Sequence, residues 1–235
     1  MPGKFCLQTL ILHKLFLMNS IQKHFPVQKT ARYFSFGEKK NNIKYLWIVL
    51  HGYSHLAEEF IKQFEVLDND ETLLIAPEGL SRFYVKGYFG NVGASWMTKE
   101  DRMTDIMDNI NYLDALLKNV LNEMRNLPEK IIVLGFSQGG ATAARWAAVT
   151  GHKINHLIIH SSEFPKDISD ESLKHLNEKT KTWIVYSNHD EFIDEELFQK
   201  EFRYLDERNF VYEKVFFEGK HEIKKETLEI LNSKL

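Results

Sequence analysis

Apolar positions along this chain fall into two patterns that alternate from residue 31 onward. One is the short, nearly continuous apolar run: YLWIVLHG (45–52), ETLLIAPEG (71–79), KIIVLGF (130–136), INHLIIHS (154–161), TWIVYSN (182–188) and FVYEKVFF (210–217). Runs of this length, rich in β-branched residues, predict strands buried on both faces. ARYFSFG (31–37) alternates instead, as an early exposed strand does. The other pattern repeats every three to four residues. HLAEEFIKQFEVL (55–67) puts Leu56, Phe60, Phe64 and Leu67 on one helical face. A long helix over about 102–126 carries Ile106, Ile110, Leu113, Leu117, Val120 and Leu121, and Thr98 with Asp101 has capping-box spacing. Further helices are expected over QGGATAARWAAVTG (138–151) and near 169–179, 195–207 and 222–233. Strand and helix in alternation predict an α/β fold with a mostly parallel sheet covered by helices on both faces.

One connection breaks the rhythm. Between Pro77 and about Asp101 no period is evident, and structureless loops beyond ~12–15 residues are uncommon unless functional. This stretch mixes Gly79, Gly87, Gly90 and Gly93 with Phe83, Tyr84, Tyr88, Phe89 and Trp96. It leaves the C-terminal end of a strand, where open α/β sheets bind ligands. Two readings stand side by side: an aromatic pocket wall built on Phe83, Tyr84 and Trp96, or a surface loop pinned to the core by its aromatics.

Composition narrows the classes. With 235 residues, 43% hydrophobic and 27% charged, the chain has material for one well-packed domain, expected over 25–235. A formal charge of −3 offers no cationic surplus for nucleic acid. The single cysteine, Cys6, excludes an internal disulfide framework and cysteine-rich zinc sites, and fits a reducing, cytoplasmic compartment. Residues 1–24 form an extension. CLQTLILHKLFLM (6–18) is interrupted by His13 and Lys14, lacks a small-residue cleavage site and falls short of the ~20 apolar residues that span a bilayer. The favoured reading is an upstream extension before Met18, with a degenerate signal peptide as the alternative; stable membrane insertion is not expected. The oligomeric state stays open, a homodimer included.

The chemistry concentrates around Ser137, in Gly-Phe-Ser-Gln-Gly between an apolar run and a small-residue helix. A Gly-x-Ser-x-Gly match is weak alone; the strand before it and the helix after it make it an elbow that lifts the serine above a sheet edge. A serine nucleophile needs a base, and the base an orienting carboxylate, from the ends of later strands. Asp190 follows TWIVYSN, and of the ten histidines only His221 follows the last strand. Asp194 is the rival acid but reads as the cap of the next helix. His152, His156 and His160 read as packing or surface residues. An oxyanion needs two donors: the backbone N–H of Gln138, and that of Tyr53 in the turn LHGY after an earlier strand. His51 and His55 have i, i+4 spacing, but Gly52 lies between them and no H-E-x-x-H frame surrounds them, so no metal is expected. DNDE (68–71) lacks the glycine and distal glutamate of a calcium loop.

LHGY, GFSQGGA (135–141), NHDEFI (188–193) and EGKHEI (218–223) together make the chain resemble an α/β-hydrolase. It is most similar to the small carboxylesterase group that includes acyl-protein thioesterases and lysophospholipase-like esterases. The resemblance runs from about residue 25 to the end. It implies a Ser137–His221–Asp190 triad, a Tyr53 and Gln138 oxyanion hole, no cofactor, and a small-molecule ester or thioester substrate cleaved through an acyl-enzyme. Lysophospholipase or acyl-protein thioesterase activity is the nearest alternative, and a catalytically silent binding protein is the alternative of another class. The chain departs from the group at Ser187, where glycine is usual, at Tyr53, where an apolar residue is usual, and along ASWMTKEDR (94–102). Only residues 162–181 separate two strands where a cap domain is often inserted, so an open site is expected, bounded by the 77–101 loop and by Glu163 and Phe164.

Overall fold

The apolar runs assemble into a seven-stranded sheet in the order β1-β3-β2-β6-β7-β8-β9. The computed structural model describes residues 20–37 and 42–235. The strands are β1 (Tyr33–Phe36), β2 (Tyr45–Leu50), β3 (Thr72–Pro77), β6 (Lys130–Phe136), β7 (His156–His160), β8 (Lys181–Ser187) and β9 (Glu213–Phe217). All neighbours are parallel except β1, which pairs antiparallel with β3 and closes one edge. This is the expected α/β-hydrolase type of sheet, with no large cap.

Alternation along each strand divides the core. Leu46, Ile48 and Leu50 of β2 join Ile131 and Val133 of β6 on one face, whereas Trp47, Val49, Ile132 and Leu134 point to the other. The first face is covered by α2 (Arg102–Glu123), α3 (Gln138–Val149), α4 (Asp170–Lys179) and α5 (Glu195–Glu207), and the second by α1 (Ala57–Ile61) and α6 (Lys225–Ser233). Burial on both faces explains why these strands read as continuous apolar runs rather than alternating ones. On α2, Ile106, Ile110, Leu113, Leu117 and Val120 are buried, and Leu121 packs at their margin.

Several expectations need correction. The segment 55–67 is not one helix: α1 spans five residues and continues as a 3₁₀ turn over Lys62–Leu67, which still buries Phe60, Phe64 and Leu67. The Thr98–Asp101 capping box does not form. Asp101 has φ 48° and caps α2 without a side-chain bond to its backbone, while the Thr98 N–H donates to Asp105 at 3.0 Å. The aperiodic segment contains a separate hairpin, β4 (Ser81–Tyr84) and β5 (Val92–Ser95). Its strands are four residues each and pair only with one another, so they carry no long apolar run. Between β7 and β8 only α4 intervenes, as expected.

Two compact units divide the chain, Met1–Thr30 and Ala31–Leu235. The expectations for residues 1–19, the Met18 start and the signal peptide among them, lie outside the described residues. Residues 20–30 carry neither helix nor strand. No described helix is long and apolar enough to cross a membrane.

The tightest contact in the sheet layer is where α3 leaves β6. A Cβ at Gly135 would lie 2.2 Å from the Gly139 carbonyl oxygen, and one at Gly139 would lie 2.3 Å from that of Leu50. Backbone cannot retreat as a flexible side chain can. Gly135→Ala is therefore expected to lose ~1–3 kcal/mol or more of unfolding free energy in urea titration, as overpacking does. An unchanged midpoint would mean that the helix can be displaced freely.

Candidate active site

The strand order reverses direction between β2 and β6: the chain steps from β2 outward to β3, and from β6 the opposite way to β7, β8 and β9. Open α/β sheets form their ligand crevice at such a switch, beyond the strand C-termini. Beyond β2 lies His51-Gly52-Tyr53, and beyond β6 lies Ser137. These two turns touch. A Cβ on Gly52 would fall 3.1 Å from the Phe136 ring and 3.3 Å from the Ser137 Cβ, so a larger residue there would press the two turns apart by a few tenths of an ångström.

Ser137 adopts φ 53°, ψ −123°, a conformation unfavourable for a residue with a side chain. The surroundings hold it there: its N–H donates to the His160 carbonyl at 2.9 Å, and its carbonyl accepts the Gly140 N–H at 2.8 Å. The elbow thereby places the serine at the N-terminus of α3. The backbone N–H groups of Tyr53 and Gln138 have no hydrogen-bond acceptor among the described residues.

On the far side, Asp190 and His221 come together across the ends of β8 and β9. His221 Nδ1 lies 2.7 Å from Asp190 Oδ2, and the Asp190 side chain is fully buried. The other carboxylate oxygen accepts the N–H groups of Phe192 and Ile193 at 2.9 and 3.0 Å. With Oδ1 taken by two backbone N–H groups, the carboxylate accepts from the ring through Oδ2, so Nδ1 carries the proton and Nε2 is left as the base. The imidazole is set between two phenyl rings, Phe136 at 4.7 Å and Phe192 at 4.8 Å between centroids. Asp194 does cap α5, accepting the Leu197 N–H at 2.8 Å.

Ser137, Gln138, Tyr53, His221 and Phe164 all line one open cavity of about 1100 Å³. The pocket wall expected from the aromatic segment needs correction, because Phe83, Tyr84 and Trp96 do not line it. Phe83 stacks on Tyr53 at 5.1 Å, Tyr84 is exposed on the hairpin, and Trp96 is fully buried with its indole N–H donated to the His51 carbonyl at 2.8 Å. Trp96 pins the segment to the core. The cavity instead takes Met97 from the end of that segment, Arg102 and Met103 from the start of α2, Ala141 and Arg145 from α3, and the 161–167 connection.

Sequence reasoning missed the Gln138 side chain altogether, since it assigned that residue a backbone role. Its amide braces the connection to α2: Oε1 accepts the Trp96 N–H at 3.0 Å and Nε2 donates to the Met97 carbonyl at 2.8 Å. Phe192, two residues after the acid in NHDEFI, and Arg145, the one charge in ATAARWAA, were the legible signals for two further wall residues.

Three histidines near the site are held neutral. His51 is buried, its Nδ1–H donated to the Gly52 carbonyl at 2.8 Å and its Nε2 accepting the Gly79 N–H at 2.9 Å, which fixes one tautomer. Burial lowers it to about 4. His160, enclosed by Phe136 and Phe217, is lowered by burial to about 3, with His221 nearby adding to the effect. Burial, and then the proximity of His221, also lowers His55. The reading of His160 as a packing residue fits this enclosure. Among the described residues, no three His, Cys, Asp or Glu side chains gather where they could hold a metal ion.

A sequence-family model described as phospholipase/carboxylesterase matches residues 32–235, and the chain belongs to that family of hydrolases. Among solved structures, esterase PE8 is similar at 18% identity and a TM-score of 0.63, over 87% of this chain and 97% of that one. Zea mays acyl-protein thioesterase 2 is similar at 18% and 0.63, over 87% and 99%. Arabidopsis thaliana SOBER1 is similar at 17% and 0.62, over 80% and 95%. These likenesses show the fold. A search of curated protein sequences returns no significant match.

The neutral histidines carry a pH consequence. In the unfolded chain an imidazole titrates near ~6.5, whereas in the fold His51 and His160 resist protonation. Between those values the unfolded state binds more protons, so stability is complete above about pH 6.5 and declines as pH falls. Urea titrations from pH 7 to 5 are expected to show up to ~1.4 kcal/mol lost per pH unit for each of the two groups. His160→Gln should flatten that slope. A flat profile in the parent protein would contradict the neutral assignment.

Proposed function

We propose that the protein hydrolyses carboxylic esters with Ser137 as nucleophile, His221 as general base and acid, and Asp190 as the group that orients and stabilises the imidazolium. The observation that carries this reading is the buried Asp190–His221 pair at 2.7 Å, whose ring shares a cavity wall with a serine on a strained elbow. A serine hydroxyl is weakly nucleophilic until a base removes its proton as it attacks. With Nδ1–H committed to Asp190, Nε2 of His221 receives the Ser137 proton during attack on the ester carbonyl.

The carbonyl oxygen becomes an oxyanion, which the free N–H groups of Tyr53 and Gln138 receive at the N-terminus of α3. The imidazolium then protonates the departing alcohol and the acyl group stays on Ser137. Water enters from the open cavity, gives a proton to Nε2, attacks the acyl carbon and releases the acid. Each proton that His221 accepts it returns within the half-reaction. No cofactor takes part.

A second reading rests on the apolar part of the wall. Met97, Met103, Phe164, Phe192 and Ile193 offer a surface suited to an acyl chain, which favours lysophospholipase or thioesterase activity over short-chain ester cleavage. The similar maize protein is an acyl-protein thioesterase. Rates across p-nitrophenyl esters of increasing acyl length separate the two.

Ser137→Ala is expected to lower kcat on p-nitrophenyl butyrate by at least ~10⁴-fold, and Asp190→Asn by ~10³ to 10⁴-fold, with little change in KM. A fluorophosphonate probe should label the parent protein and leave Ser137→Ala unlabelled. Equal rates for parent and Ser137→Ala, or no labelling of folded parent, would return the chain to a binding role.

A further inference from the structure

Helix α3 runs along the cavity from its catalytic end. Ser137, Ala141 and Arg145, spaced four residues apart, all line it. Four-residue spacing keeps side chains on one face, so the cavity follows two helical turns, ~12 Å from the Ser137 Cα to that of Arg145. Side chains lean toward the helix N-terminus, which brings the Arg145 side chain nearer the serine than the spacing of the two Cα atoms.

Arg145 is 6% exposed, yet the protein uses less than half of its hydrogen-bonding capacity. Nε donates to both oxygens of Asp167 at 3.0 Å, and Nη1 faces the Met97 sulfur at 3.9 Å. A guanidinium has five N–H donors. Nη2 has no acceptor among the described residues, and the second N–H of Nη1 has none either. Asp167 grips the guanidinium at its Nε end, leaving the Nη end without a protein carboxylate.

Other charged side chains share this wall. The wall carries Arg102, Arg145 and Lys166 against Glu163 and Asp167. Lys166 pairs with Glu201 at 3.2 Å and is raised further by Glu163. Arg145 is paired with Asp167 at 3.0 Å, and Arg102 lines the same wall. Burial lowers the Arg145 guanidinium and Arg102 adds to that effect, against the pull of Asp167.

We propose that Arg145, supported by Arg102, is an anion subsite that binds a carboxylate on the substrate, about four methylenes from the scissile carbonyl. The substrates are then esters bearing a terminal carboxylate, such as half-esters of medium-length dicarboxylic acids. The planar fork matches two carboxylate oxygens, and the apolar wall of Met97, Met103 and Phe164 matches the methylenes between. A bound carboxylate takes up the idle donors of a side chain that lines the cavity. This inference rests on the Ser137 reading for turnover but not for binding.

The test uses two pairs of probes and two variants. Monomethyl adipate against dimethyl adipate places the carboxylate on the acyl side; 5-acetoxypentanoate against its methyl ester places it on the alcohol side. Calorimetry with the Ser137→Ala protein is expected to show at least ~10-fold tighter binding of the acid than of its neutral partner in one of the pairs, since a charged hydrogen-bonded pair outweighs a neutral contact. The preference should fall to near unity in Ser137→Ala/Arg145→Gln. It should also be absent in the triple variant that adds Asp167→Asn, which removes the orphaned carboxylate and guards against a folding artefact. With turnover-competent protein, the same acid-to-neutral ratio should appear in kcat/KM. Equal binding of acid and neutral probe in both pairs, or a preference that survives loss of Arg145, overturns the subsite. Absence of hydrolysis with a preserved binding preference counts against the Ser137 reading alone.

Discussion

Everything at the cavity depends on one backbone contact, the approach of α3 to the ends of β2 and β6 at Gly135 and Gly139. With side chains there, the helix would sit further from the sheet, and three things would shift together. The Ser137 elbow would lose its N–H bond to His160, the Gly52 turn would separate from Phe136, and the amides of Tyr53 and Gln138 would part. A positive φ on a serine is unfavourable in isolation, and it persists because the hydrogen bonds and packing on every side leave no other arrangement.

Around that contact hydrogen bonds tie the short turns to one another. His51 bridges the turn after β2 to the Pro-Glu-Gly turn after β3, and Trp96 closes the same network from the hairpin segment. Glu78 in the second turn accepts two bonds from Arg32 and one from the Ala57 N–H, tying the edge strand β1 to the first turn of α1. Gln138 completes the frame by holding Trp96 and Met97. The residue whose main chain faces the cavity thus fixes, through its side chain, part of the cavity wall. Neutral imidazoles suit this role: each offers one donor and one acceptor, and neither brings a charge that burial would penalise.

The sheet and the elbow were legible because both faces of each central strand are buried and because strand, glycine turn and small-residue helix are contiguous in sequence. Asp190 and His221 were legible from chain order, since each sits a few residues beyond a strand that could be seen; the rivalry with Asp194 fell to helix-cap logic, which the Leu197 N–H bears out. The hairpin was not legible, because eight residues split by a glycine-rich tip supply neither period. Phe83, Tyr84 and Trp96 drew attention as aromatics, but aromatic identity does not say which side of a backbone faces a cavity. Tertiary packing decided that, and sent Trp96 inward. The Arg145 environment was out of reach for the same reason: Asp167 and Met97 reach it from distant parts of the chain. Gln138 shows a different limit, since a motif that specifies a backbone amide says nothing of what the amide's own side chain does.

Packed against α3, with Asp167 bonded to Arg145 at 3.0 Å, is the connection 161–169, which supplies Ser161 through Asp167 to the wall and joins β7 to α4 without entering the sheet. Lengthening a surface connection is entropically cheap, ~0.6 kcal/mol for each doubling. The side of the cleft that meets the distal part of a substrate is therefore the side most open to insertion and deletion, while the side that bears the elbow tolerates almost none. Divergence in substrate range among proteins of this architecture is easiest along that one connection, by changes in length that leave every strand register intact.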